Sequence, residues 1–154
     1  ERKQAEETER FLAEAGAVLG SSLDYESTLR AVANLAVPTI ADWCALDIVE
    51  RGQINRLAVA HIDPTKIPFA KALRDRYENP AEPYSVPAVI GTGVPAMIAE
   101  ITDEMITRAA RGDEERIRLV RSIGLRSYIC VPLIAHGQTL GALALAGLVL
   151  RRRR

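Results

Sequence analysis

Near its end the chain reads SYICVPL (Ser127–Leu133) and then QTLGALALA (Gln138–Ala146), with AHGQ supplying the turn. Two short apolar segments joined this closely form an antiparallel hairpin. Pro132 marks a bulge, an edge or the strand's end, because proline gives no N–H to a ladder. Both segments are apolar on both faces, a pattern that calls for a sheet covered by helices on each side. The same region continues as an apolar run, Thr139–Leu150, into four arginines, Arg151–Arg154. A spanning helix needs about 20 apolar residues. The run is too short, and His136, Gly137 and Gln138 stop it from extending backward. It therefore reads as a strand, with Gly147–Leu150 leaving the sheet and the arginines in a loop.

A second hairpin lies upstream. Trp43–Val49 (WCALDIV) and Ile54–His61 read as strands, and ERGQ (Glu50–Gln53) as their turn. Two helices precede it. Residues 1–19 carry a stripe of Phe11, Leu12, Ala15, Val18 and Leu19, with Gly20 as the C-terminal cap. Asp24 is placed to cap the second helix, in which Leu29, Val32, Ala33 and Ala36 share a face until Pro38 stops it.

After the first hairpin, Asp63–Pro64 opens a turn and a helix with Phe69, Ala72, Leu73 and Tyr77 at helical spacing. From Asn79 to Pro95 the chain is rich in proline and glycine. It reads as a long irregular connection with one short extended piece at Ala88–Ile90. Met97–Ile101 reads as a short strand. Thr102 or Asp103 caps a helix through Ala110, and Asp113 caps another that Gly124 ends.

The length, 154 residues, suits one domain with a core, and 48% hydrophobic with 26% charged residues is ordinary for a globular chain. Lys plus Arg equals Asp plus Glu at 20 each, so charge gives no reason to expect nucleic acid. Cys44 and Cys130, lacking CxxC spacing, read as reduced core thiols of a cytoplasmic protein rather than a zinc site. The opening ERKQAEETER is no signal peptide, and it does not begin with Met, which suggests a piece of a longer protein. No membrane segment is expected.

Taken in order, FLAEAGAVLGSSLDYESTLRAVANLAVPTIADWCALDIV, RLAVAHIDP, GTGVPAMIAEITDEM and SIGLRSYICVPLIAHGQTLGALALA resemble a GAF domain from about Phe11 to Ala146. The likeness is to the GAF domains of bacterial sensor histidine kinases and PP2C-type (stage II sporulation E-like) phosphatases. It implies an α+β, profilin-like fold with a central antiparallel sheet of five to six strands. Terminal helices would pack on one face, and middle helices and loops would cover a pocket on the other. The expected division is an N-terminal signalling helix (1–20), a GAF core (21–150) and a basic end (151–154). The C-terminal helix usual in the family is absent from this sequence.

The resemblance implies a sensory input domain without catalysis. It would bind an unidentified small molecule, dimerise through the stripe of Phe11, Leu12, Ala15, Val18 and Leu19, and act on a covalently attached output domain. The alternatives are a ligand-free dimerisation and relay module and a GAF-fold redox enzyme. No P-loop, GxSxG or HExxH motif is present, and GTG (Gly91–Gly93) is too short for a nucleotide fingerprint. Candidate pocket residues are Asp47, His61, Met105, Arg126 and Tyr128. His61, at a strand end, could meet a ligand or a haem iron, but the plainer reading is a hydrogen-bonded histidine. Asp47, interrupting an apolar strand, could orient a ligand amine or pair with Arg56 across the hairpin. Neither cysteine adjoins a histidine, so no covalent bilin is expected, and haem is not expected either.

Overall fold

The computed structural model describes residues 5–12, 25–37 and 39–148. Its five strands are β1 (Trp43–Glu50), β2 (Gln53–His61), β3 (Ala96–Ile98), β4 (Leu125–Ala135) and β5 (Gln138–Leu148). They form one sheet in the order β2-β1-β5-β4-β3, and every neighbouring pair is antiparallel. Both expected hairpins are present. Each turns on two residues in the left-handed region, Arg51–Gly52 (φ 52° and 78°) and His136–Gly137 (φ 53° and 74°). That is the type I′ geometry whose twist matches the flanking strands, and it explains the glycine in second place.

The helices are α1 (residues 5–12), α2 (Tyr25–Ala36), α3 (Ile67–Tyr77), α4 (Val86–Thr92), α5 (Asp103–Ala110) and α6 (Glu114–Ile123). A 3-10 turn, Pro64–Lys66, precedes α3, and Asp63 caps it. Thr102 caps α5 by accepting the Met105 N–H, and Asp113 caps α6 by accepting from Glu115 and Arg116. Gly124 ends α6 with φ 79°.

Strand alternation divides the core into two clusters on opposite faces. On one face Cys44, Leu46, Ile48, Leu143 and Leu145 meet Leu29, Val32 and Ala36 of α2 and Phe11 of α1. On the other, Trp43, Ala45, Cys130, Ala142, Ala144 and Ala146 lie under α3, α4 and α6. This is the two-sided cover that the apolar strands required.

Three details differ from the sequence reading. Ala88–Ile90 is helical, within α4, not extended. Ser85 caps that helix through its side chain, a proline follows in the first turn, and Gly93 closes it at φ 71°. These are the ordinary start and stop signals of a helix, hidden among prolines and glycines. The short strand is Ala96–Ile98, not Met97–Ile101. Gly147 does not leave the sheet: it pairs with Ser127, and Leu148 with Leu125. Pro132 lies inside β4, past the Tyr128–Cys130 stretch that β3 covers, so the strand is an open edge there. The pairing with β5 shifts just beyond it, between Leu133 and Ile134. Asp24, Ala15, Val18, Leu19 and Arg151–Arg154 lie outside the described residues.

Candidate ligand cavity

Between the second sheet face and helices α3, α5 and α6 lies a cavity of about 270 Å3. An apolar cavity of about 150 Å3 is large enough to hold benzene, so this space suits a molecule of metabolite size. Its floor follows from β5. Ala142, Ala144 and Ala146 point to this face and Leu143 and Leu145 to the other. Methyl side chains leave the helices above without a filling partner, and Ala144 lines the open space. Leu73 of α3, Ile106 of α5 and Val120 of α6 form the apolar roof.

One wall is charged. Asp47, fully buried on β1, sits opposite Arg56 of β2 at a register shift. Arg56 Nε and Nη2 each donate to its carboxylate at 3.3 Å. Arg74 Nη1, from α3, donates to the same carboxylate. A buried carboxylate is costly unless paired and hydrogen-bonded, and two guanidiniums meet that need. Arg74 Nε also lies 3.7 Å from Glu78 Oε1. Burial pushes the Glu78 carboxyl above its ordinary range, against the opposing pull of Arg74. The Arg56 guanidinium lies 5.8 Å from the centre of the Trp43 ring, within cation–π range.

The rim is a chain of polar contacts through the segment between α3 and α4. Tyr128 O–H donates to the Tyr84 carbonyl at 2.9 Å, and Tyr84 O–H donates to Glu82. Arg116 of α6 is 3.5 Å from Glu82 and lies over the Tyr77 ring at 5.7 Å. Tyr77 O–H donates to Glu115 at 3.0 Å, and Arg76 pairs with the same carboxylate at 2.7 Å. Burial and the Glu82 carboxylate push the Tyr84 hydroxyl up to about 12, and burial raises Tyr128 as well. These phenols are neutral donors. Ser85, the lining hydroxyl, is occupied in capping α4.

Of the five predicted pocket residues, Met105 and Tyr128 line the cavity. Asp47 stands behind the wall with both oxygens taken by arginines, so the pairing reading describes it and the amine reading does not. His61 is not a lining residue. Its Nδ1 accepts the Asp63 N–H at 2.8 Å, which fixes its proton on Nε2. Nε2 is buried without a hydrogen bond of normal geometry, though the Ile123 carbonyl is near enough to favour that proton. Arg126 is exposed at the start of β4, beside a register shift, and does not line the cavity either. Arg74, Arg116 and Tyr84 went unpredicted. Arg74 meets Asp47 across 27 residues of chain, and only the tertiary fold reveals such a pairing.

Phe11 is buried in the chain's own core, and Leu12 packs against that core. Cys44 and Cys130 are free and buried in the two opposite clusters. Burial pushes their thiols up to about 12 and about 11, which keeps both protonated at neutral pH. Among the described residues, no group of three or more His, Cys, Asp and Glu is placed to hold a metal ion. None of the helices there is long and apolar enough to cross a membrane.

The sequence model of the GAF domain family matches residues 24–154. No curated protein sequence matches at a significant level. Among solved structures, the A. aeolicus Nlh2 GAF domain, in an inactive state, is similar at 12% identity. It covers 94% of this chain and 82% of its own, with a TM-score of 0.57. The GAF domain of a phosphoenolpyruvate-protein phosphotransferase (ptsP) from Coxiella burnetii is similar at 16% identity. It covers 94% and 79%, with a TM-score of 0.53. At these identities the likeness is one of fold.

Proposed function

Because this chain belongs to the GAF domain family, whose members are generally regulatory and commonly bind small molecules, we propose that it is a sensory input module of a bacterial, cytoplasmic signalling protein. A small molecule enters the cavity over β5, and the terminal helices pass the change to an attached output domain of a histidine kinase or phosphatase. The observation that carries this reading is the sheet's asymmetry. One face holds a cavity with a charged wall, and the other is packed directly on α2 and α1. β1 supplies residues to both faces, Asp47 to the wall and Leu46 and Ile48 to the helices. A shift in the wall is thereby transmissible to the helices.

A thermal-shift and calorimetry screen of nucleotides, haem and metabolites tests the first step. The expected result is at least one compound that raises the melting temperature. Hydrogen exchange of the complex should then slow in α2 as well as in α3 and α6. A screen with no binder removes the ligand step, and protection confined to the cavity side removes the relay.

A second reading is homodimerisation through the N-terminal helix. It is favoured by Leu35, 44% exposed on α2 and bordering a shallow depression shared with Glu7, Arg10 and Phe11 of α1. Sedimentation of the wild type against Leu19→Asp, and separately against Leu35→Asp at an exposed position, should show loss of dimer mass. Unchanged mass in both variants counts against that interface.

A further inference from the structure

What enters the cavity is constrained by which of its polar groups remain uncommitted, a deduction that rests on the sensory reading above. Arg56 gives Nε and Nη2 to Asp47, which leaves Nη1. Arg74 gives Nη1 to Asp47 and turns Nε toward Glu78, which leaves Nη2. Neither remaining group has a hydrogen bond among the described residues. Trp43 also lines the cavity, and its buried indole Nε1 has no partner there. All three are donors.

The acceptors are in a different position. Asp47 is fully engaged, and Glu82 takes the Tyr84 hydroxyl and Arg116. Glu78 lies 3.7 Å from Arg74, its ion-pair partner, and burial raises its carboxyl above the ordinary range. The buried Trp43 N–H calls for an acceptor, and the partly exposed guanidiniums beside it are satisfied best by charged oxygen. Counted with Asp47 alone the two guanidiniums leave one positive charge, and Glu78 beside Arg74 offsets it when ionised, so the wall suits a monoanion at most and not a phosphate dianion.

We propose that the cavity binds a small amphipathic carboxylate, its head held by Arg56 and Arg74 and its apolar or aromatic body held under Leu73, Ile106 and Val120. Nothing in this arrangement cleaves or transfers a group. The arginines orient the head, and the alanine floor accommodates the body.

The test uses three bodies, 4-phenylbutyrate, octanoate and indole-3-acetate, each titrated by calorimetry as the acid, the amide and the corresponding amine. For at least one body the acid should bind at least about tenfold tighter than its amide, and the amine should not bind, as expected when a charge-assisted contact is lost. Two variants that fill the space, Ala144→Phe from the floor and Ile106→Trp from the roof, should each abolish that binding. Ile106 is only half-buried, so its variant keeps the test intact if Ala144→Phe does not fold. Amides or amines that bind as well as the acids would overturn the proposal, as would nine compounds that all fail to bind. The metabolite screen separates that failure from failure of the sensory reading. A binder of other chemistry that Ile106→Trp excludes refutes the carboxylate and keeps the sensor, whereas a screen without any binder refutes both.

Discussion

The two faces of the sheet are built from the same strands and have opposite characters. β5 reads Ala142-Leu143-Ala144-Leu145-Ala146, and its period of two sends every leucine to one side and every alanine to the other. On the leucine side, Leu46, Leu143, Leu29 and Val32 are almost wholly excluded from solvent, and packing is continuous from the strands into α2. On the alanine side the strands contribute little volume, the helices cannot close onto them, and a cavity remains. The residue that interrupts the apolar pattern, Asp47, also faces that side. The contrast shows how one face of a small domain can supply stability while the other gives some up for a binding site.

The ion cluster is where this contrast breaks most easily. Asp47→Ala leaves two guanidiniums at a buried site without their carboxylate, and removing one partner of such a cluster costs about 3–5 kcal/mol. Urea denaturation should show that loss. Replacing all three members together, Asp47→Leu with Arg56→Met and Arg74→Met, should restore most of it, because apolar residues of similar volume need no compensation. A single variant that costs less than about 1 kcal/mol, the scale of a solvated pair, would show that the wall is not the desolvated side it is taken to be.

Neighbouring residues of β5 give the next largest effect and the most direct comparison. Leu143→Ala should lose about 2–5 kcal/mol, the cost of a cavity in a packed core. Ala144→Leu adds volume one residue away, a change that in a filled core costs about 1–3 kcal/mol. Here it should be nearly neutral in a urea titration, because the added methyls enter empty space. Equal penalties at both positions would mean that the two faces are packed alike.

Ser85→Ala should cost about 1 kcal/mol, the usual loss of an N-cap. The loss should fall on α4, whose amide hydrogens would exchange faster while those of α2 are unchanged. Global destabilisation with uniform exchange would mean that α4 is not a separable part of the cavity's surround.

Much of this was legible in the chain. Both hairpins, the caps at Thr102 and Asp113 and the stop at Gly124 are local signals, and local sequence carries them. The leucine and alanine alternation of β5 could be read as well, but not which face would hold the cavity, since that depends on where α3 and α6 settle. α4 was obscured because Ser85, Pro87 and Gly93 serve equally as loop residues and as helix boundaries. Asp47 and Arg56 lie across a hairpin and could be paired from sequence, whereas Arg74 and Tyr84 join the site through contacts with no local signature.

His61 provides the smallest effect, and it bears on what joins the cavity side to the first hairpin. The residue is paired with Trp43 in the β1–β2 ladder, so both rings face the cavity side of the sheet. Burial lowers the His61 pKa, more than the Ile123 carbonyl, Asp63 and Asp42 raise it, and Lys66 adds to the lowering. In the unfolded chain the imidazole titrates near its ordinary value of about 6.5. Between that value and the lower one of the fold, the unfolded state holds more protons, so stability rises with pH. The contribution is therefore complete above about pH 6.5 and is lost as the pH falls toward the folded value. Protonation of Nδ1 would also break the acceptor contact with the Asp63 N–H, loosening the turn that starts α3. Urea midpoints at pH 7 and pH 5.5 should differ more in the wild type than in His61→Asn, whose Oδ1 stands where Nδ1 accepts the Asp63 N–H and which does not titrate. Parallel declines in the two proteins would assign the acid sensitivity to carboxylates, and His61 would then be a passive filler at the end of β2.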